Sequence, residues 1–313
     1  MAEMELARKY RPDSISGLWG NKESKEILTG LLEKDKAGKA IPHTLLFIGG
    51  SGTGKTTSAR AFFNDLGIGG ADLTEVNASD HNGVDDMRAL IDSADYMPMM
   101  SDRKGIILDE VQMLSSNAQD AILKLLEEPP AYLYIALCTT DPQKIKNTIK
   151  TRAIKIELKA LPTKTMVRCL SSVMEEEDQD WDMEVLEAIA EKSEGVPRTA
   201  LKLMDKVLDM DTEKALEVIA KETGADEEDP DVRALCQKLL KQADWKDVSP
   251  ILKKIKGQDA EAVRRIIAGY MTAVLLNSGD IAAATVLSYF TDSFFASGYA
   301  GLVLACFSAV NDK

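Results

Sequence analysis

Cysteine is scarce: four in 313 residues, at Cys138, Cys169, Cys236 and Cys306, with no C-x-x-C pair among them. That spacing offers neither a zinc module nor a disulfide framework, so reduced, mostly buried thiols are expected. Long apolar runs are missing too. The longest near the end, Ala300 to Val310, is too short to span a bilayer, and the acidic opening Met1-Ala2-Glu3-Met4-Glu5 carries no apolar signal segment. A soluble, cytoplasmic protein is the expectation. Internal repeats are absent. Excess positive charge is absent as well: 38 Lys and Arg against 51 Asp and Glu leave a net charge of −13, awkward for a nucleic-acid partner.

The distribution of that charge matters more than its total. Residues 1–160 carry a net of −3 and residues 161–313 a net of −10, much of it in Glu175-Glu176-Glu177-Asp178 and Asp226-Glu227-Glu228-Asp229-Pro230-Asp231. Both runs read as solvated segments between elements, so any DNA would have to meet the first half. A hydrophobic content of 45% is enough for a real core, and the length implies two or three domains.

What the chain does have is Gly49-Gly50-Ser51-Gly52-Thr53-Gly54-Lys55-Thr56-Thr57, which fits G-x-x-x-x-G-K-[ST] without a mismatch. Before it lies Thr44-Leu45-Leu46-Phe47-Ile48, suited to a buried parallel strand; after it Ser58 to Phe63 can open a helix. Glycines let backbone N–H groups curl around phosphates, and the helix N-terminus adds partial positive charge. Lys55 would reach the β and γ phosphates of ATP, and the Thr56 hydroxyl would hold Mg²⁺.

Helix and strand signals alternate around this loop. Residues 22–34 and Val84 to Tyr96 suit helices, Glu75-Val76-Asn77 a short strand, and Gly105 to Glu110 an apolar strand ending in two carboxylates. A helix over 116–127 stops at Pro129-Pro130, and Leu133 to Cys138 is β-like. The pattern predicts a parallel α/β sheet, helical throughout from Thr163, with boundaries near Leu161-Pro162 and Glu222 to Pro230. Asp109 can hold the Mg²⁺ shell and Glu110 can polarise the attacking water.

Nine pieces occur in the order of a known family: Ala7-Arg8-Lys9-Tyr10-Arg11-Pro12 with Trp19-Gly20-Asn21, Ile41-Pro42-His43, the glycine loop's lead-in, and Asn77-Ala78-Ser79-Asp80. They continue with Asp109 to Leu114, Leu126-Glu127-Glu128-Pro129-Pro130, Thr139 to Lys144, Thr151-Arg152 and Gly195-Val196-Pro197-Arg198. Over roughly residues 4 to 209 the chain resembles the ATPase subunits of sliding-clamp loaders, within the AAA+ class, with features of replication factor C small subunits and of bacterial tau and gamma. The resemblance implies three domains: an AAA+ P-loop ATPase over 1–160, a helical lid over 161–225 and a helical collar over 226–313.

Carried over by position, Ala7, Arg8, Lys9, Tyr10, Arg11, Pro12 and Trp19 line the adenine pocket, with Gly52, Thr53, Gly54, Lys55, Thr56 and Thr57 on the phosphates. Taken alone, Tyr10 and Trp19 read as core aromatics. Thr140 occupies one sensor position, Arg198 the sensor in the lid, and Arg152 the arginine finger that enters the neighbouring subunit's site. His43 and His81 have no role in this pattern beyond local hydrogen bonds. Thr151-Arg152-Ala153 stands where relatives read Ser-Arg-Cys, and the cysteine-rich zinc insert of bacterial members is missing. The short, zinc-free form suggests a phage or archaeal replisome, placing the chain in a prokaryotic or phage-infected cell.

The implied partners are a sliding clamp, primer-template DNA and further loader subunits in a pentameric ring. DNA would meet helix starts at Asn82-Gly83-Val84 with Arg88 and at Ser115-Ser116-Asn117, where N–H groups grip phosphates without large positive charge. Arg88 could instead pair with Asp92. The loop Tyr96-Met97-Pro98-Met99-Met100 would face the clamp or fill the core. Arg152 would stand at a subunit edge because Pro142 to Lys150 is too polar for core, with a salt bridge to Glu157 as its other reading. Rival functions are an AAA+ helicase or helicase loader, and a ring subunit that binds ATP without splitting it.

Overall fold

The computed structural model describes residues 5–312 apart from 178, 180, 222–229, 293, 295 and 296. The chain forms two compact units, 1–224 and 225–313. In order, the first contains α1 (Leu6–Lys9), α2 (Lys22–Lys36), β1 (Thr44–Gly49), α3 (Lys55–Asp65), β2 (Leu73–Asn77), α4 (Val84–Ala94), β3 (Lys104–Asp109), α5 (Ser116–Glu127), β4 (Leu133–Thr139), α6 (Asn147–Lys150) and β5 (Ile154–Leu158). Helices α7 (Thr163–Glu176), α8 (Met183–Lys192), α9 (Pro197–Val207) and α10 (Thr212–Lys221) follow.

The five strands are all parallel, in the order β2-β3-β4-β1-β5. Helices cover both faces, which is why β1, β3 and β4 read as nearly unbroken apolar runs. Successive side chains divide between the two faces. Leu45, Phe47, Ile107, Ala136 and Cys138 pack with Leu28, Phe62 and Phe63 of α2 and α3. Leu46, Ile106, Leu108, Ile135 and Leu137 pack on the other face with Met87, Leu90, Ile122 and Leu126 of α4 and α5. Since β4 lies between β1 and β3, the loop after β1 and the carboxylates after β3 flank the end of β4. Open parallel sheets gather ligands at that edge.

Several expectations shift. The helix expected to reach Tyr96 stops at Ala94. Pro142 to Lys150 is not too polar for core: Ile145 and Ile149, four apart, are buried against the α5 face of the sheet. β5 was unforeseen; it alternates Ile-Lys-Ile-Glu-Leu because, as an edge strand on β1, only one of its faces is covered.

Helices α7 to α10 share a core that includes Leu6, so α1 packs with these helices rather than on the sheet. Glu175 and Glu176, expected between elements, lie in the last turn of α7. The acids at 178 and 226–229 and the boundary at 222–229 fall outside the described residues.

The second unit is helical: α11 (Pro230–Leu240), α12 (Trp245–Lys254), α13 (Ala260–Ser278), α14 (Ile281–Ser288) and α15 (Gly298–Asn311) around one core. α13 ends at Ser278 with Gly279 as its cap, and α15 begins at Gly298 with Ser297 as its cap, the two places where the sequence suggests a break between helices. Glu261 is buried in this unit, accepting from Arg264 Nε at 2.9 Å and Nη2 at 2.8 Å and from Phe294 N at 2.7 Å, and these donors hold its pKa down at about 2. All four cysteines are buried and unbridged. Among the described residues no helix is long and apolar enough to cross a membrane.

Candidate nucleotide site

The glycine loop runs from the end of β1 into α3. Gly54 caps α3 at φ +99° and Gly52 sits at φ +71°, left-handed values that side chains rarely adopt. At Gly52 space is short as well: a Cβ there would stand 2.6 Å from Val196 Cγ1 and 3.3 Å from Arg198 Cβ, so the loop touches the start of α9. Lys55 is 5% exposed and donates to Gly49 O at 3.0 Å and Gly50 O at 2.9 Å. Burial pushes its pKa down, while Glu110 and Asp109 pull the other way.

The end of β3 meets the loop directly. Thr56 Oγ1 donates to Asp109 Oδ2 at 2.6 Å, so the two residues expected to share Mg²⁺ already touch. Glu110 takes a left-handed backbone at φ +53°, where β3 turns into a short 3₁₀ turn, Val111–Met113. Its carboxylate accepts from Thr140 Oγ1 at 3.3 Å and from Gln112 Nε2. Gln112 also donates to Thr140 Oγ1 at 2.8 Å and accepts from Thr139 Oγ1 at 2.7 Å. It thereby ties the end of β3 to the end of β4. Gln112 was not singled out from the sequence; its position two residues after Glu110 in a tight turn is the available signal.

Beside the loop lies a cavity of about 410 Å³. Ala7, Arg8, Tyr10, Arg11, Pro12, Trp19, Gly52, Thr53, Gly54, Thr57 and Arg198 all line it. Trp19 is thus a wall residue, 38% exposed, not core, while Tyr10 both lines the cavity and packs on the α7–α10 core. Lys9 does not line it; its Nζ turns away to Glu177 at 2.6 Å. Lys55 and Thr56 lie outside the wall, tied to loop carbonyls and Asp109. Arg8, Arg11, Lys25, Arg198 and Lys202 contribute five cationic groups against one acid, Glu5. The pKa of Arg11 is pushed down by burial first and then by Arg60 and Arg198. A polyanion relieves that repulsion, which reconciles an anionic ligand with a chain of net charge −13.

Arg152 stands away from this cavity. It donates Nη1 to Thr148 O at 2.6 Å and pairs with Glu127 at the end of α5, not with Glu157. Arg88 pairs with Asp85 at 3.0 Å, one turn before it, not with Asp92. Ser115 N donates to Asn82 O at 3.2 Å, bringing the two candidate DNA stretches together. They differ in charge: Gly83 N already donates to Asp86 Oδ2 at 3.2 Å and Asp85 and Asp86 fill the first turn of α4, whereas α5, with Asn117, has no acid there. His43 Nδ1 bonds Leu133 O at 2.6 Å and its ring stacks on Tyr134, while His81 lies 3.5 Å from Asp86.

Residues 69–162 match the family described as DNA polymerase III, delta subunit. The chain is 32% identical over 239 residues to the DNA polymerase III subunit gamma of Buchnera aphidicola, covering 70% of this chain and 64% of that protein. It is 34% identical over 229 residues to the subunit tau of Escherichia coli, covering 66% of this chain and 35% of that protein. It therefore spans less than two thirds of the length of these relatives. The RuvB Holliday junction branch migration motor of Thermotoga maritima superposes with a TM-score of 0.60 over 74% of this chain and 79% of that one, at 23% identity, which shows a shared fold.

Proposed function

We propose that this chain, which belongs to the AAA+ family of the DNA polymerase III gamma and tau subunits, hydrolyses ATP in a ring that opens a sliding clamp and sets it on primer-template DNA in the cytoplasm. In this reading residues 1–160 are the ATPase domain, 161–225 a lid and 226–313 a collar joining subunits, most simply five. The observation that carries it is the group Thr56, Asp109, Glu110, Gln112 and Thr140, joined hydrogen bond to hydrogen bond beside a cationic cavity.

The residues divide the work by position. Lys55 exchanges its two neutral carbonyl acceptors for phosphate oxygens, so that both donor and acceptor are then charged. Thr56 and Asp109 would hold Mg²⁺, which supplies charge neutralisation on the phosphates when bound. Glu110 polarises the attacking water, and Gln112 fixes both Glu110 and Thr140 so that the carboxylate and the sensor hydroxyl face one point. Arg198 reaches the phosphates from α9, where the lid touches Gly52. Arg152, at a surface edge, serves a neighbour's nucleotide. ATP binding draws loop and lid together and so tightens the ring on clamp and DNA; hydrolysis releases it.

Phosphate release by the purified chain, with and without clamp and primed DNA, tests this. Glu110→Gln should keep ATP binding and lose about 10²- to 10⁴-fold in turnover. Strong unwinding by the chain alone would support the helicase reading instead. Tight ATP binding with no phosphate release under any condition would leave a purely structural ring subunit.

A further inference from the structure

The wall that residues 6–10 give to the cavity is attached to the helices after the sheet, not to the sheet. Leu6 is buried inside the α7–α10 core, Tyr10 packs on that core, and α1 lies against α9, the helix that carries Arg198. The far end of this stretch is pinned by Glu177, the C-cap of α7. Glu177 Oε1 accepts from Lys9 Nζ at 2.6 Å, and that ammonium lies 5.3 Å from the centre of the Tyr10 ring. Lys9 first and then the Tyr10 hydroxyl hold the Glu177 carboxyl below its usual pKa, so one carboxylate serves both side chains.

A few residues on, the chain is anchored to the sheet side. Asp13 O accepts from Asn64 Nδ2 at 2.9 Å, Ile15 N donates to Asp65 Oδ2 at 2.9 Å at the end of α3, and Ile15 is buried in the core between the sheet and helices α2 and α3. Arg11 and Pro12 alone bridge the two sides. The chain crosses again between Leu158, in the sheet core, and Leu161, in the α7–α10 core. Arg11, Pro12 and Leu158 line the cavity, so both crossings run beside it. Tyr10 and Arg198 therefore enter the cavity from the α7–α10 side, and the glycine loop, Leu18, Trp19 and Leu28 from the sheet side. With phosphates on the glycine loop and Arg198, the apolar surface of Tyr10, Leu18, Trp19 and Leu28 is left for the base.

We propose that Glu177 is a positioning residue that ties the base-contacting segment to the body carrying Arg198, so that Arg198 meeting the phosphates and Tyr10 closing on the base are one movement. The inference rests on the ATP reading of the cavity given above. With the tie in place, contact at the phosphate end draws in the wall at the base end, and the two grips on the nucleotide reinforce each other. Without it Leu6 stays in its core, but Lys9 and Tyr10 must be ordered separately when the nucleotide binds, and that entropy is subtracted from affinity.

The test titrates the full chain with ATP, with ADP and with inorganic tripolyphosphate, which has no base. Glu177→Gln should raise the Kd for ATP about fivefold and leave that for tripolyphosphate unchanged. The preference for ATP over ADP should narrow in the same variant. Lys9→Glu should weaken ATP binding in the same way, and Lys9→Glu with Glu177→Lys, which rebuilds the pair in reverse, should recover most of the loss. Added to Arg198→Ala, Glu177→Gln should cost less than the product of the two single effects, because the tie then has no phosphate contact to transmit. Equal weakening of tripolyphosphate, no recovery in the reversed pair, or fully independent effects of Glu177→Gln and Arg198→Ala would each reduce Glu177 to a structural contact and overturn the proposal. If ATP binding depends on Arg198 yet Glu177→Gln leaves it unchanged, the role of Glu177 alone is refuted. If the unmodified chain does not bind ATP, or Arg198→Ala does not affect that binding, the nucleotide reading fails and this inference fails with it.

Discussion

Gly52→Ala separates two demands that the phosphate loop places on one residue. The first is backbone: φ of +71° costs an alanine about 1–2 kcal/mol. The second is space. The new Cβ would meet Val196 Cγ1 at 2.6 Å, against about 3.5–4.0 Å for relaxed carbon contacts, so Val196 must retreat by about 1 Å. Val196 is the N-cap of α9 and Arg198 lies in its first turn, so the retreat takes the guanidinium with it. Losing one charge-assisted hydrogen bond to phosphate costs about 1.5–3 kcal/mol, roughly a ten- to hundredfold rise in the Kd for ATP. Val196→Ala removes the obstructing methyl. The double variant Gly52→Ala/Val196→Ala should therefore regain most of the ATP affinity while keeping the stability loss that comes from φ. Titration with a fluorescent ATP analogue, beside thermal unfolding, closes the cycle. Equal loss of affinity with and without Val196→Ala would mean that the loop's own conformation, not its contact with α9, sets ATP binding, and the argument for Arg198 would fail.

Two further expectations address the neighbouring subunit and the second unit. Arg152→Ala should bind ATP yet hydrolyse it about 10³- to 10⁵-fold more slowly, and Lys55→Ala should lose ATP binding; mixed under subunit exchange, the two should recover part of the activity. No recovery in rings shown by mass to be mixed would confine Arg152 to its own chain. Glu261 has a folded pKa of about 2 against an ordinary 4.5, so its contribution is complete above pH 4.5 and is lost as pH falls from there toward 2. Glu261→Gln should cost about 3 kcal/mol or more at pH 7 and flatten that acid dependence, as read by urea melts at pH 7 and pH 3; an unchanged melt would mean that Arg264 finds other acceptors.

Legibility in the sequence followed how local each feature is. The glycine loop, the Asp109-Glu110 strand end and the buried strands are written in contiguous residues, because backbone geometry and two-sided burial act over short stretches. The bracing is not contiguous. Asp72 binds a loop 27 to 29 residues away, Gln112 crosses 28 residues to Thr140, and Arg152 finds Glu127 across 25. Which of several nearby acids an arginine meets depends on helix ends and rotamers that no spacing rule fixes, as Arg88 choosing Asp85 over Asp92 illustrates. The error over Pro142 to Lys150 has the same root. Three lysines and an Asn dominate its composition, yet two isoleucines, Ile145 in extended backbone and Ile149 in α6, suffice to anchor it in the core.

The charge pattern of α5 supports treating its two ends together. The helix spans 12 residues, about 18 Å, with Ser115 as N-cap accepting from Ala118 N at 3.2 Å. Its N-terminal turn carries no acid, and its C-terminal residue, Glu127, pairs with the Arg152 guanidinium. A helix dipole stabilises an anion at the first end and a cation at the second by about 0.3–1 kcal/mol each. α5 therefore suits both proposed roles at once, a DNA phosphate at Ser115 and Asn117 and the arginine finger at Glu127. The start of α4 suits the first role less well, because Asp85 and Asp86 already occupy the position that a phosphate would take. Of the two candidate DNA contacts, the one on α5 is thus favoured by electrostatics, and it lies on the same rigid element as the group that holds Arg152.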